Sequence, residues 1–262
     1  MKTKKLAFFI FLITTLSLQA QNYKVIKVDG DILYKKNDAP LLQGSSFTEG
    51  EQFLFKSQNS RAAVIKPGKG RFILKPDNSN LAFAKANLAP AMSNISTRAG
   101  ALINKVDLES HFSGKYVIID KVILKIGTTE FPMNENQFFY ISYKYKGENV
   151  NKKLSFINDS LIIDRKELLT IDGQPIPNPN ITDMEIKYLD KTQNNKNILI
   201  STFLPVFPDL NTLKEEINMI IDSFHDKNND QKIKEIISYI NDFYGKPDKE
   251  NLEHWLKTEF KL

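Results

Sequence analysis

Between Tyr23 and Lys75, short β-prone runs alternate with turn residues, and no helical period extends over a useful window. Tyr23, Val25, Lys27 and Asp29 alternate with Lys24, Ile26, Val28 and Gly30. The Asp29-Gly30 pair suits a two-residue hairpin, so Ile32, Leu33 and Tyr34 are expected to return the chain beside it. Gly44 and Gly50 mark two further turns, Phe53 to Phe55 a third strand and residues 62–65 a fourth. Pro67-Gly68-Lys69-Gly70 then turns the chain into residues 71–75. Strands this short and this evenly spaced predict a small β module, a sandwich or barrel, over residues 21–77.

The next stretch, 78–105, has neither a two-fold nor a 3.6-fold period and reads as a linker or crossover, with a helix possible at 81–87. The β signal returns at 116–124, 137–145, 153–157, 161–163, 184–188 and 198–203, all rich in branched or aromatic residues and punctuated by Gly127, Asn134, Gly147, Asn158-Asp159 and Gly173. Apolar positions then change to helical spacing. Leu213, Ile217, Ile220, Ile221 and Phe224 form one stripe, behind Thr212 and Glu215 at the spacing of a capping box. Ile233, Ile236, Ile237, Ile240 and Phe243 form a second, ended by Gly245 and Pro247. Leu252, Trp255, Leu256 and Phe260 form a third, behind Asp248 as cap. The expected fold class is α+β: a small all-β N-terminal module, then a domain at 106–262 with an antiparallel sheet (116–203) and three C-terminal helices (211–262), which should cover one face of that sheet.

In the first module the order Val28-x-Gly30, Leu41-Leu42-x-Gly44, Glu49-Gly50 and Ser60-Arg61-Ala62-Ala63-Val64, followed by a glycine-containing hairpin, resembles the repeating turn pattern of FecR-like periplasmic β modules. The resemblance covers residues 23–75. It implies a ladder of glycine-turned hairpins that carries a sensing or binding surface, often beside a membrane signalling protein.

The first twenty residues add an address. Lys2, Lys4 and Lys5 precede an apolar run from Leu6 to Leu18 and a small residue, Ala20, which together read as an export signal (1–20) cleaved before Gln21. The apolar run is too short for a stable span, which takes about 20 apolar residues, so no membrane span is expected after cleavage. The formal charge of +5 falls to +2 once the three lysines of the signal are set aside, and no basic stripe remains to suggest nucleic-acid binding. The chain has no cysteine, which removes disulfides, thiol catalysis and cysteine-based zinc sites together. An abundance of Lys, Asn and Ile suggests an AT-rich bacterial genome, and a Gram-negative periplasm or secretion is the expected location.

Little in the sequence announces chemistry. His111, His225 and His254 lack ligand spacing. Asp226, Asn228 and Asp230 alternate like the opening of a calcium loop, but Gln231 stands where such a loop needs Gly and Ile237 where it needs a bidentate acid. A polar loop between two helices, with Asp230 as a helix cap, is the competing expectation; if calcium binds, those three are its ligands. No nucleophile elbow and no phosphate-cradling glycine loop occur, and no cofactor is expected. The densest aromatic segment is Phe138-Phe139-Tyr140 with Tyr143 and Tyr145. On a strand, Phe139, Ile141, Tyr143 and Tyr145 share one face, and Phe138, Tyr140, Ser142 and Lys144 the other. The segment is either a central strand buried on both faces or an exposed ladder whose Tyr140, Tyr143 and Tyr145 bind a sugar or anchor a protein.

The expected function is therefore that of an exported, non-enzymatic binding protein of the cell envelope, with another envelope protein or a glycan as partner. A periplasmic glycan hydrolase using scattered carboxylates and a periplasmic immunity or inhibitor protein are the alternatives.

Overall fold

The computed structural model of the chain describes residues 22–77, 86–91, 100–177 and 183–262. The segment expected to be an export signal, 1–20, lies outside the described residues. The chain divides into two compact units, Met1–Ala91 with Met219–Asp226, and Met92–Asn218 with Lys227–Leu262. Its class is α+β, as the hydrophobic pattern predicts.

The first unit is built on seven strands: β1 (Tyr23–Asp29), β2 (Ile32–Tyr34), β3 (Ser46–Phe47), β4 (Phe53–Phe55), β5 (Arg61–Lys66), β6 (Gly70–Pro76) and β7 (Ala86–Pro90). They form one sheet in the order β3-β1-β5-β6-β7 and a separate pair, β2-β4. Val25, Ile32, Phe47, Phe53, Phe55, Val64 and Leu74 are among the apolar side chains that meet in the core. The β5-β6 hairpin closes at Pro67-Gly68-Lys69-Gly70, with Lys66 opposite Gly70, where the turn residues place it.

Asp29-Gly30 does not make the expected hairpin. β1 pairs with β3 and β5, whereas β2 pairs with β4, so the chain leaves one sheet for the other at Gly30. A Cβ on Gly30 would lie 2.7 Å from Ser60 Oγ, and its φ of +74° favours glycine, so the residue serves a close approach rather than a two-residue return. Residues 86–90, expected within the linker, pair with β6 as an edge strand that ends at Pro90. The helix considered at 81–87 falls outside the described residues except for Ala86 and Asn87, which belong to β7.

The second unit contains α1 (Lys105–His111), β8 (Lys115–Val117), β9 (Lys121–Lys125), β10 (Gln137–Tyr145), β11 (Glu148–Lys153), β12 (Ser155–Ile157), β13 (Ser160–Asp164) and the single turn α2 (Arg165–Leu168). The short pair β14 (Thr170–Ile171) and β15 (Gln174–Pro175), then β16 (Met184–Asp190) and β17 (Lys196–Val206), complete its main strands. The helix α3 (Leu210–Ser223) begins here, and α4 (Asn229–Phe243), β18 (Lys246–Pro247) and α5 (Lys249–Phe260) close the chain.

Six strands form one sheet, β11-β10-β16-β17-β8-β18, and three form another, β12-β13-β9. Two runs expected as single strands are each divided between the sheets. The run 116–124 breaks after β8, at the buried Ile118 and Ile119, and resumes as β9; the run 153–157 breaks at the buried Leu154, whose N–H donates to Phe139 O. The sequence hides such a crossing, because Ile118, Ile119 and Leu154 at the corners are as apolar and as buried as the strand residues around them.

This division decides what covers the sheet. The core facing it is filled by Val122 and Leu124 of β9, Leu161 and Ile163 of β13, and Leu108 and Phe112 at α1, against Phe139, Ile141, Tyr143, Met184, Ile186 and Phe203. None of the described members of that core lies beyond Phe207, so the small sheet takes the place expected for the C-terminal helices. Those helices do form on their apolar stripes, and α5 packs against α4 and β9. Their caps differ in part from expectation. Asp248 accepts from Asn251 N at 2.9 Å, as its position predicts, but Asp209 rather than Thr212 opens α3, and Asn228 rather than Asp230 caps α4.

Candidate functional site

The aromatic strand β10 is buried on one face alone. Phe139, Ile141 and Tyr143 point into the core, while Phe138, Tyr140 and Ser142 are half-buried and Lys144 is exposed on the other face. Tyr143 is 3 % exposed, and its hydroxyl donates to Leu168 O at 2.5 Å. Burial raises the pKa of that phenol. Tyr145 packs against the same core at its margin. The three tyrosines therefore do not form one ladder, and Tyr143 cannot stack on a ligand; the strand is not buried on both faces either. Period-two alternation separates the faces, but the sequence does not say which one meets the second sheet.

Among the three tyrosines, only Tyr140 lies on the outer face, and beside it, two residues back, lies Phe138. Asn197 Nδ2, from β17, donates to Tyr140 Oη at 2.7 Å and holds the phenol in place across the intervening β16. Two ammonium groups approach the Phe138 ring: Lys153 Nζ, from β11, at 4.6 Å from its centroid and Lys191 Nζ, beyond β16, at 5.3 Å. Cations are attracted to a ring face by its quadrupole. The result is a small aromatic platform rimmed by positive charge.

The second place of interest is where α5 begins. A cavity of about 500 Å³ is lined there by His111, Lys125, Ser160, Asp248, Glu250 and Glu253, among others. His111 Nε2 and Tyr116 Oη share a hydrogen bond of 2.7 Å, and Asp248 Oδ2 stands 3.9 Å from the same nitrogen. Burial, opposed by Asp248 and assisted by Lys246, lowers the His111 pKa from 6.5 to about 4, so the ring is neutral near pH 7. Burial also pushes the wholly buried Tyr116 phenol well up. Lys246 Nζ donates to Ser110 O at 2.8 Å and His111 O at 3.2 Å, satisfying carbonyls that end α1.

A neighbouring cavity of about 270 Å³ is lined in part by Asn251, whose side chain lies across a strand edge. Asn251 Oδ1 accepts from Ile123 N at 2.8 Å, and its Nδ2 donates to Ile123 O at 3.0 Å. One carboxamide thus occupies the outer edge of β9 as a neighbouring strand would, blocking edge-to-edge pairing. Asn251→Ala is expected to cost about 1 to 2 kcal/mol. It should also promote self-association through β9, visible as a concentration-dependent rise in light scattering; an unchanged unfolding temperature and a strictly monomeric profile would refute this role.

The other sequence candidates are placed as follows. Asn228 Oδ1 accepts from Gln231 N at 2.9 Å while Gln231 Oε1 accepts from Asn228 N at 3.3 Å, a reciprocal capping box. Gln231, where a calcium loop needs Gly, is therefore the partner that closes the cap. Asp230 lies in the first turn of α4 and Asp226 is exposed. Among the described residues, no group of three or more His, Asp or Glu is placed to hold a metal ion. His225 and His254 are exposed, and His111 is half-buried against Tyr116. The His111 cluster draws on α1, β8, β18 and the cap of α5, over a hundred residues apart in the chain, and no local spacing marks it.

No family model matches the chain, and no curated protein matches it. Among solved structures it is similar to the N-terminal four Ig domains of Dscam1 isoform 4.4, with 8 % identity and a TM-score of 0.17. That match covers 73 % of this chain and 47 % of the other, so the chain spans about half the length of the structure it matches. A likeness of that size carries no functional argument.

Proposed function

We propose that the chain is an exported, non-enzymatic binding protein of the bacterial cell envelope, which engages a glycan or another envelope protein through the outer face of its six-stranded sheet. The observation that supports this is the platform on β10: Phe138 and Tyr140 on the face turned away from the core, one approached by two ammonium groups and the other oriented by Asn197. Aromatic rings that present area at low entropic cost are effective recognition surfaces. The export pattern of residues 1–20 supports a periplasmic or secreted location, and the resemblance of residues 23–75 to FecR-like modules is in keeping with a binding role there.

The hydrolase alternative would use the cavity at α5, where Asp248, Glu250 and Glu253 stand together. Several polar groups there are already engaged: Asp248 caps α5, Glu253 Oε1 lies 3.7 Å from Lys249 Nζ, and His111 is bonded to Tyr116. This favours binding over acid–base chemistry.

In the test, the mature chain is recovered from the periplasm with Gln21 at its N-terminus. Replacing Phe138 and Tyr140 together by Ala should abolish capture of the envelope component that co-purifies with it, while the unfolding temperature stays within a few degrees. Tyr143→Phe should do the reverse, lowering stability by about 1 to 2 kcal/mol through the loss of one buried hydrogen bond and leaving capture intact. Undiminished capture by the double variant, or release of reducing sugar ends by the wild-type chain, would refute the proposal.

A further inference from the structure

Charges around Phe138 narrow what the sheet face takes. We infer that its occupant is an acidic polysaccharide, a chain of sugar rings bearing carboxylates; this rests on the outer-face function proposed above.

Lys153 is shared between the Phe138 ring and Glu135, whose carboxylate is 3.0 Å away and 89 % exposed, so water and salt weaken that pair. Lys191 has no carboxylate partner among the described residues, and neither has Lys144, exposed on the same face beyond Tyr140. Lys187, by contrast, is neutralised by Glu185 at 2.5 Å and adds nothing to the excess. The platform therefore carries positive charge that its own neighbours leave uncompensated.

The position of that charge sets the selectivity. A sugar that stacks on Phe138 must draw the ammonium groups away from the ring. A neutral sugar offers no charge in exchange for the lost cation–π attraction. A carboxylate on the same sugar takes up the ammonium in a charge-assisted hydrogen bond and so uncovers the ring for the C–H face of the sugar. Tyr140 lies about 7 Å further along the strand, within reach of the same short oligosaccharide. Both rings are half-buried along one strand and neither protrudes, which suits a chain laid along that strand better than a protein pocket closing on a protruding anchor.

The experiment is a calorimetric titration of the mature chain with hexagalacturonate and with cellohexaose. The acidic oligomer should bind at least about tenfold more tightly than the neutral one and weaken as salt is raised. Lys191→Gln should lose about three- to fivefold towards the acidic oligomer while binding the neutral one no more weakly, since one ammonium group no longer has to leave the ring. Phe138→Ala should lose binding to both, with its unfolding temperature checked alongside. Equal affinity for both oligomers, still sensitive to Phe138→Ala, would overturn the inference while leaving the sheet face as the binding surface. Binding to neither would overturn it too, and capture of an envelope protein that Phe138→Ala abolishes would then identify the face as a protein-binding one. Acidic-oligomer binding that is indifferent to Phe138→Ala and Tyr140→Ala would overturn the sheet-face function itself.

Discussion

Gly245→Ala is expected to destabilise the protein by about 3 to 5 kcal/mol, through backbone strain and steric overlap together. Gly245 follows the last turn of α4, where its N–H donates to Ile240 O at 3.1 Å, and its φ is +133°. A Cβ there would lie 2.6 Å from both the Cβ and the carbonyl oxygen of Lys115. Lys115 belongs to β8, a strand held between β17 and β18, so the overlap can be relieved only by moving backbone. The part that would move is β18, which pairs in parallel with β8 through Lys246 and Pro247, and with it the Asp248 cap of α5. Lys246 would then leave the carbonyls of α1. A fall in unfolding temperature on the order of 10 °C is expected for a chain of this size. Gly147→Ala is the control: that residue has φ +88° in the β10-β11 turn, but nothing lies within 4 Å of its missing Cβ. Only the cost of a positive φ applies there, about 1 kcal/mol. Equal losses at the two glycines would show that contact with Lys115 does not matter.

Stability should fall steeply as pH drops from about 6.5 to about 4, with His111 responsible. The unfolded chain holds the histidine at its ordinary pKa of 6.5, whereas burial first, with Asp248 opposing and Lys246 assisting, sets the folded value near 4. Between those values the unfolded state binds a proton that the folded state does not, so stability is fully present above 6.5 and is lost progressively down to about 4. The charged neighbours that face the ring are Asp248 at the cap of α5 and Lys246 in β18, with the Tyr116 phenol of β8 bonded to it. The contribution at neutral pH is about 3 kcal/mol. Asp190 and Asp209, whose pKa values are lowered mainly by hydrogen bonds from Thr192 and Thr212, add losses only at still lower pH. His111→Gln places an amide where Nε2 stands, keeps a partner for Tyr116 and cannot titrate. Denaturant unfolding at a series of pH values should show the slope between 4 and 6.5 in the wild type and its absence in the variant. A variant curve parallel to the wild type would rule His111 out.

The legible part of this fold is local. Helices α3 to α5 appear where apolar residues recur every three or four positions, and the β5-β6 hairpin closes at its glycines, because period and turn chemistry act within a few residues. The division of 116–124 and 153–157 between two sheets is not local. Ile118, Ile119 and Leu154 are as apolar as the strands they separate, and they are buried by elements distant in the chain. Tyr143 and Tyr140 are alike in composition and neighbourhood, yet one is core and the other faces outward. The sequence places them on opposite faces, and only the position of β9 and β13 says which face is covered. The His111 cluster is the extreme case, since the parallel pairing of β18 with β8 brings Lys246 and Asp248 to a helix that ended at His111.

By itself, then, the sequence determined the α+β class, the three amphipathic helices, the absence of cysteine chemistry and the expectation of export. All of these follow from periodicity or composition, which are properties of neighbouring residues. Tertiary structure decided which aromatic rings meet the core, which acid caps a helix and which histidine is held neutral. Burial is set by what packs on top of a residue, and that partner can come from anywhere in the chain.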